Sequence, residues 1–355
     1  MDFNITEEII ITNPLTYGIA GFVFLIFIEI LISRKHDKEL YQWKDFASSV
    51  SMGFGAVVLT TIMRSLPLLL FFPIYEFFNP IVGDTRLNIM GWEAFHFTWI
   101  TFLICQILDD HNYYWHHRLS HTVRCLWAAH IVHHSSPHYN LGTGLRNGWV
   151  TLFYKPIFWC WLPMIGFHPM MVFTCLGIQA LWQFQLHTKF VPHLGFLEKF
   201  MNTHKQHQVH HAQNIEYLDK NHGGYLNLFD KLYGSHGLLD PNREVDFGVI
   251  HPPESYNPFI IVSHEYKSIF KDVASTGNWG HKFMYLFGPP GWSPDKSTLT
   301  VRQMQRELKK QRKLHPDIPV SDLEDRILCG KPIQIVPEQT EHKSESEPAL
   351  ASVVN

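Results

Sequence analysis

Long apolar runs alternate along the chain with polar, histidine-bearing stretches. Leu15 to Ile32 is a run of about eighteen largely apolar residues, with Glu29 near its end, and is long enough for a transmembrane helix. Phe46 to Phe78 is apolar again but broken by Arg64, Pro67 and Pro73. It reads as one tilted or kinked helix leading into an interfacial segment. Trp92 to Leu108 forms a third run, leading directly into Asp109, Asp110 and a histidine group. Trp149 to Met164 and Met170 to Leu186 make a hairpin around Gly166-Phe-His-Pro169. The first arm holds Pro156 and Pro163 and is short enough to be re-entrant. The pattern predicts an all-α, integral membrane helical bundle of about four to five spans, with a histidine-rich di-metal cap.

Sidedness follows from charge. The loop after the first run carries Arg34, Lys35, Lys38 and Lys44, which places it in the cytoplasm. Counting crossings from there puts every histidine group on the cytoplasmic side. After His211 the chain is polar, with Asp240-Pro241, Pro252-Pro253 and Gly288-Pro-Pro-Gly291 as punctuation. Thr300 to Lys313 reads as a charged helix with a solvated face. The expected organisation is N-terminal spans over 1–92, a catalytic region over 93–235, a cytoplasmic cap over 236–335 and a disordered acidic tail over 336–355.

Composition narrows the function. A formal net charge of -3 gives no sign of nucleic-acid binding. Met1 to Asn13 lacks a basic n-region, which argues against a cleaved secretory signal. Five cysteines occur with no CxxC pair, as expected of free thiols. No phosphate loop or Rossmann fingerprint is present, so a nicotinamide does not bind through either motif.

The 24 histidines carry the candidate chemistry. His117 and His121 lie one helical turn apart. In His130-x-x-His133-His134 three side chains fall within about 100° of arc on a helix. His207-x-x-His210-His211 repeats that spacing. A lone pair of this kind is usually a core or surface feature. Eight in a repeated spacing point to metal, and three such segments can hold more than one ion. Imidazole suits iron, zinc, copper and nickel alike, so the spacing leaves the metal open. His36, His96, His168, His193, His236, His251, His264, His281 and His315 are scattered and read as structural or solvated.

The boxes, set among apolar runs, resemble the fatty acid hydroxylase / sterol desaturase superfamily of membrane di-iron oxygenases. Within it, the linking segments resemble the branch that cleaves alkylglycerol ether lipids. These are Asp110-His-Asn-Tyr-Tyr-Trp-His-His117-Arg, Trp127-Ala-Ala-His130, His133-His134-Ser-Ser-Pro-His-Tyr-Asn140, Gln183-Phe-Gln-Leu-His187-Thr, Asn202-Thr203, Asp219-Lys-Asn221 and Phe229-Asp230-Lys-Leu-Tyr-Gly234. The resemblance covers roughly Trp92 to Gly234. It implies that His117, His121, His130, His133, His134, His207, His210 and His211 ligate two irons, with His187 as a ninth ligand. Asp110 is a candidate to orient a ligand ring, and Asn140, Asn221 and Asp230 are weaker candidates for the same support. Thr122 and Gln206 depart from the branch, which carries Glu and often His there.

The implied activity is O2-dependent hydroxylation of a lipid C–H bond, foremost ether-lipid cleavage. Electrons would come from an external reductant, tetrahydrobiopterin by resemblance, or from a ferredoxin or cytochrome b5 type donor protein. A sterol, fatty acyl or carotenoid hydroxylase or desaturase is the alternative. A zinc-binding membrane protein without redox chemistry is the alternative of another class. The expected location is the plasma membrane in a bacterium or the endoplasmic reticulum in a eukaryote.

Overall fold

The computed structural model describes residues 14–62 and 65–329. The polar lead at 1–13, Arg64 and the acidic tail over 336–355 lie outside the described residues. Three helices open the chain: α1 (Pro14–His36), α2 (Trp43–Ile62) and α3 (Ser65–Phe78). The run Phe46 to Phe78 is helical on both sides of residues 63–64, which lie outside the described residues, and Pro73 sits inside α3. A two-residue hairpin follows, β1 (Ile81–Val82) against β2 (Thr85–Arg86). Gly83 takes φ +65 at its turn, a conformation glycine adopts without steric cost.

The long helix α4 (Trp99–Thr122) begins later than the apolar run that starts at Trp92. Thr98 fixes its start, exchanging capping hydrogen bonds with Thr101. Val123, in extended conformation, both ends α4 and precedes α5 (Arg124–His134), so the chain folds back at once. The predicted arm Trp149 to Met164 is not one helix. It breaks into Thr151–Tyr154, a 3-10 segment over Lys155–Trp159, and Trp161–Met164. Pro156 and Pro163 lack the N–H that a continuous helix needs. Its partner α6 (Pro169–Gln185) is intact. A short helix α7 (His204–His210) carries the third histidine box, and α8 (Leu228–Leu232) follows. The cap comprises α9 (Pro258–Ala274), α10 (Trp279–Phe287), α11 (Val301–Leu314) and α12 (Val320–Cys329).

Phe71, Cys105, Trp159, Leu162, Met171 and Cys175 form one buried cluster joining α3, α4, the broken segment and α6. A second cluster, Ile215, Met304, Leu308 and Leu323, fastens α11 and α12 to the loop after the third box. The charged helix therefore buries one apolar stripe and leaves its basic face outward. All five cysteines are free.

The spans expected from the sequence meet a limit here: among the described residues no helix is long and apolar enough to cross a membrane. In α4 the apolar stretch is cut short by Asp109, Asp110 and the histidines, all within one helix. Large apolar side chains nevertheless point outward. Phe24 and Phe27 of α1, Phe54 and Val57 of α2, and Trp99 and Ile100 of α4 are exposed. Glu29, by contrast, faces inward on α1. It accepts hydrogen bonds from the Tyr41 hydroxyl at 2.5 Å and the Leu141 amide at 2.7 Å. An ordinary water-facing helix has the opposite polarity.

Candidate metal centre

The structure brings together all nine histidines singled out in the sequence and sorts them into two groups. His117, His121, His130, His134 and His210 form the first, and His133, His187, His207 and His211 the second. Within each group one nitrogen of every ring lies within 4.8 Å of those of the others. Helical periodicity explains the sorting. On α5 the i,i+4 pair His130 and His134 turns to the first group, while His133 turns to the second. The box on α7 is used in the opposite sense: His207 and His211 serve the second group and His210 the first. Each His-x-x-His-His box therefore straddles both groups, which holds them side by side. His134 and His211 stack at the seam, with ring centroids 4.3 Å apart.

The spacing between rings tests whether a metal fits. His117 Nε2 lies 3.0 Å from His130 Nε2, and His130 Nε2 lies 3.1 Å from His134 Nε2. In the second group His187 Nε2 lies 3.1 Å from His133, 3.0 Å from His207 and 3.2 Å from His211. A metal–nitrogen bond of about 2.0–2.1 Å sets ligand nitrogens ~3.0 Å apart at a right angle and ~3.4 Å apart at the tetrahedral angle. The close spacings fall in the range set by two ligands of one shared ion.

Hydrogen bonds fix which nitrogen four of the rings present. His117 Nδ1 faces the His222 carbonyl at 3.0 Å, and His210 Nδ1 the Lys220 carbonyl at 2.8 Å. His133 Nδ1 faces the Arg146 carbonyl at 3.1 Å, and His187 Nδ1 the Phe184 carbonyl at 3.2 Å. A carbonyl only accepts, so each Nδ1 carries the proton and each Nε2 a bare lone pair. His133 and His187 thus oppose two lone pairs at 3.1 Å, an arrangement favourable only around a cation. The buried Nε2 atoms of His121 and His210 have no hydrogen-bond partner. The residues fit two metal ions.

Burial pushes His130, His134, His207, His210 and His211 well below the ordinary histidine range, and their mutual proximity adds to it. His133 is pushed down to about 4, chiefly by burial. These six rings are therefore neutral at physiological pH, the form that binds metal.

The supporting residues act through backbone. Asp110 accepts from the amides of Tyr225 at 2.7 Å and Leu226 at 3.1 Å, and so ties that loop to α4 without touching a ligand ring. Asp230 accepts from the amides of His222 at 2.8 Å and Gly223 at 2.7 Å and from the Ser235 hydroxyl at 2.8 Å. Asn221, at φ 55, donates to the carbonyls of Gln206 and Gly237. Together they shape the loop whose carbonyls receive His117 and His210. Asn140 lies on the other side, donating to the Leu40 carbonyl at 2.8 Å. Thr122 donates to the Arg118 carbonyl, and Gln206 to the Glu198 carbonyl.

Two participants escaped the sequence reading. His222 is buried among His117, His121 and His210, its Nδ1 without a partner. It belongs to no spaced pair; the neighbouring Asp219-Lys-Asn221 was the available signal. Arg146, only 2% exposed, pairs with Asp45 of α2 at 2.6 Å. The partners lie a hundred residues apart, and nothing local links them.

A cavity of about 800 Å³ reaches the first group at His121, His134 and His210. Its walls include Trp127 of α5, Glu265 and Asp272 of α9, Tyr285 of α10, and Trp292. Arg124 is held there by Glu265 at 2.8 Å and Asp272 at 2.7 Å.

A helical scaffold presents three histidine boxes to two adjoining groups, and residues 102–235 match the family model described as fatty acid hydroxylase. All three boxes fall inside the matched region. Among relatives, the chain is 30% identical over 309 residues to the human alkylglycerol monooxygenase, covering 86% of this chain and 65% of that protein. It is 31% identical over 280 residues to the Danio rerio alkylglycerol monooxygenase, covering 78% and 59%. It is 27% identical over 168 residues to a Delta(7)-sterol 5(6)-desaturase of Gibberella zeae, covering 45% and 49%. The chain thus spans less than two thirds of the length of these relatives. No solved structure matches it.

Proposed function

We propose that this chain is an O2-dependent lipid monooxygenase with two irons, acting foremost on the ether bond of alkylglycerols. The observation that carries the reading is the division of nine imidazoles, most of them buried, into two adjoining groups by shared boxes. His117, His121, His130, His134 and His210 would hold one iron, and His133, His187, His207 and His211 the other. A reduced iron pair supplies the activation of O2 needed to break an unactivated C–H bond. The chain's own task is to hold the rings in one tautomer, keep them neutral and exclude water. Burial of the first group and the carbonyl contacts to Nδ1 do this. The cavity beside His121, His134 and His210 offers the substrate its approach.

Hydroxylation at the carbon next to an ether oxygen gives a hemiacetal, which collapses to a fatty aldehyde and glycerol or a lysolipid. Electrons come from an external reductant, a reduced pterin or a donor protein. The relatives named as alkylglycerol monooxygenases favour the ether substrate, and the sterol desaturase relative keeps a sterol or acyl substrate in view. The outward apolar side chains of α1, α2 and α4 favour a membrane setting. The basic stretch from Arg34 to Lys44 lies beside the centre, since Leu40 within it receives Asn140, which favours a cytoplasmic-facing site. The test is incubation of iron-loaded membranes with a mixed lipid extract, O2 and a reductant. Lipid-dependent O2 uptake with release of fatty aldehyde is the expected result. Oxidised sterol or acyl chain without aldehyde would replace the ether assignment, and full activity loss with no O2 uptake would remove the oxygenase reading.

A further inference from the structure

Helices α9 and α10 turn aromatic side chains outward, while α9 buries Ile261 and Ile269 against the protein. On α10 none of the nine residues is buried. Trp279, Phe283 and Phe287 stand at i, i+4 and i+8, and are 81%, 60% and 50% exposed. At 3.6 residues per turn these three share one face, and Tyr285, which lines the cavity, points the opposite way. The pattern repeats on α9. Glu265, Ser268 and Asp272 line the cavity, while Phe259 and Phe270 on the other face are 70% and 76% exposed.

We propose that the α9–α10 hairpin lies on a lipid bilayer surface, aromatic face against the lipid, so that the cavity behind it sits at the headgroup layer. The occupant is a bilayer because the outer face mixes aromatics with lysines. Lys267 and Lys271 are exposed among the aromatics, and the Lys282 ammonium lies over the Trp279 ring at 4.8 Å. Lysine is depleted from the dry core of protein interfaces. Beside tryptophan it suits a headgroup layer, where its stem lies along apolar surface and its charge reaches anionic lipid. The face also continues into the outward apolar surface of α2. Phe259 packs edge-on against Trp149 at 5.3 Å, and the Trp149 indole donates to the Met52 carbonyl of α2. From there Phe54, Val57 and Val58 face outward. The proposal holds whichever lipid is oxidised and needs no metal.

The full chain is placed in nanodiscs of phosphatidylcholine with a minority of phosphatidylglycerol, with or without bromine on the upper acyl carbons. Emission from wild type, Trp279→Phe and Trp99→Phe is compared. The Trp279 share, wild type minus Trp279→Phe, is expected to be at least halved by brominated lipid. Phe283→Ser with Phe287→Ser is expected to restore much of it. Trp99, exposed at the start of α4, reports on the body of the protein. Quenching of Trp99 with an unchanged Trp279 share overturns the hairpin proposal alone. Quenching of neither overturns it together with the membrane reading. A particle containing two chains, with Trp279 shielded from lipid, makes the face a seam between copies and likewise overturns it.

Discussion

Asp230→Ala separates the two metal groups. The Asp230 carboxylate is fully buried and accepts three hydrogen bonds, from the amides of His222 and Gly223 and from Ser235 Oγ, all at 2.7–2.8 Å. Removing it strands two buried backbone amides at about 1–3 kcal/mol each, while the Ser235 hydroxyl keeps the Tyr114 hydroxyl as partner. Partial relaxation of the loop brings the expected loss of stability to roughly 3–5 kcal/mol. The loop that relaxes carries the carbonyls of His222 and Lys220, which receive the Nδ1 protons of His117 and His210. Both rings belong to the first group. Loss of such support typically weakens metal affinity about 10–100-fold. The second group leans instead on the Arg146 and Phe184 carbonyls, which Asp230 does not touch. Iron-loaded Asp230→Ala, challenged with a graded chelator, should therefore release one iron early and the second at the wild-type chelator concentration. Asp230→Asn, which retains an acceptor, should fall between. Simultaneous loss of both irons, or release unchanged from wild type, would refute the reasoning.

Other outcomes follow from the same geometry. His133→Ala and His210→Ala should each abolish turnover without altering recovery in the membrane fraction; normal activity in either variant would remove that residue from the ligand set. Asp45→Ala should leave the Arg146 guanidinium buried without its partner, costing about 3–5 kcal/mol, and thermal unfolding in detergent should show it. Replacing both residues with apolar ones of similar volume should recover part of that loss. For the metal-free protein, the folded pKa values of His130, His134 and His210 lie below the unfolded value of about 6.5. The unfolded chain therefore takes up protons that the fold refuses. Stability should be whole above about pH 7. It should fall as pH drops through the unfolded value, with the His133 contribution exhausted near 4. A flat unfolding temperature across that window would contradict the burial of these rings.

Much of the centre was legible because helical periodicity is local. His130, His133 and His134 declare their faces by spacing alone, and so do His207, His210 and His211. What spacing could not say is which ring joins which group, since that depends on how α5 and α7 meet. The supporting shell was less legible. Asp110 reads as a partner for a ring but binds backbone amides of a loop more than a hundred residues away. Arg146 and Asp45 meet only in the fold. Hydropathy found the helices α1 and α6 but overstated the run from Trp149 to Met164, where two prolines break the helix. It also missed that α10 wears its aromatics outward, because nine residues are too few to register as an apolar run.

The most direct test is X-ray diffraction from the iron-loaded protein, recorded across the iron absorption edge. The account predicts two anomalous peaks per chain, one within bonding reach of His117, His121, His130, His134 and His210, the other within reach of His133, His187, His207 and His211. A single peak, or peaks away from these rings, would contradict it.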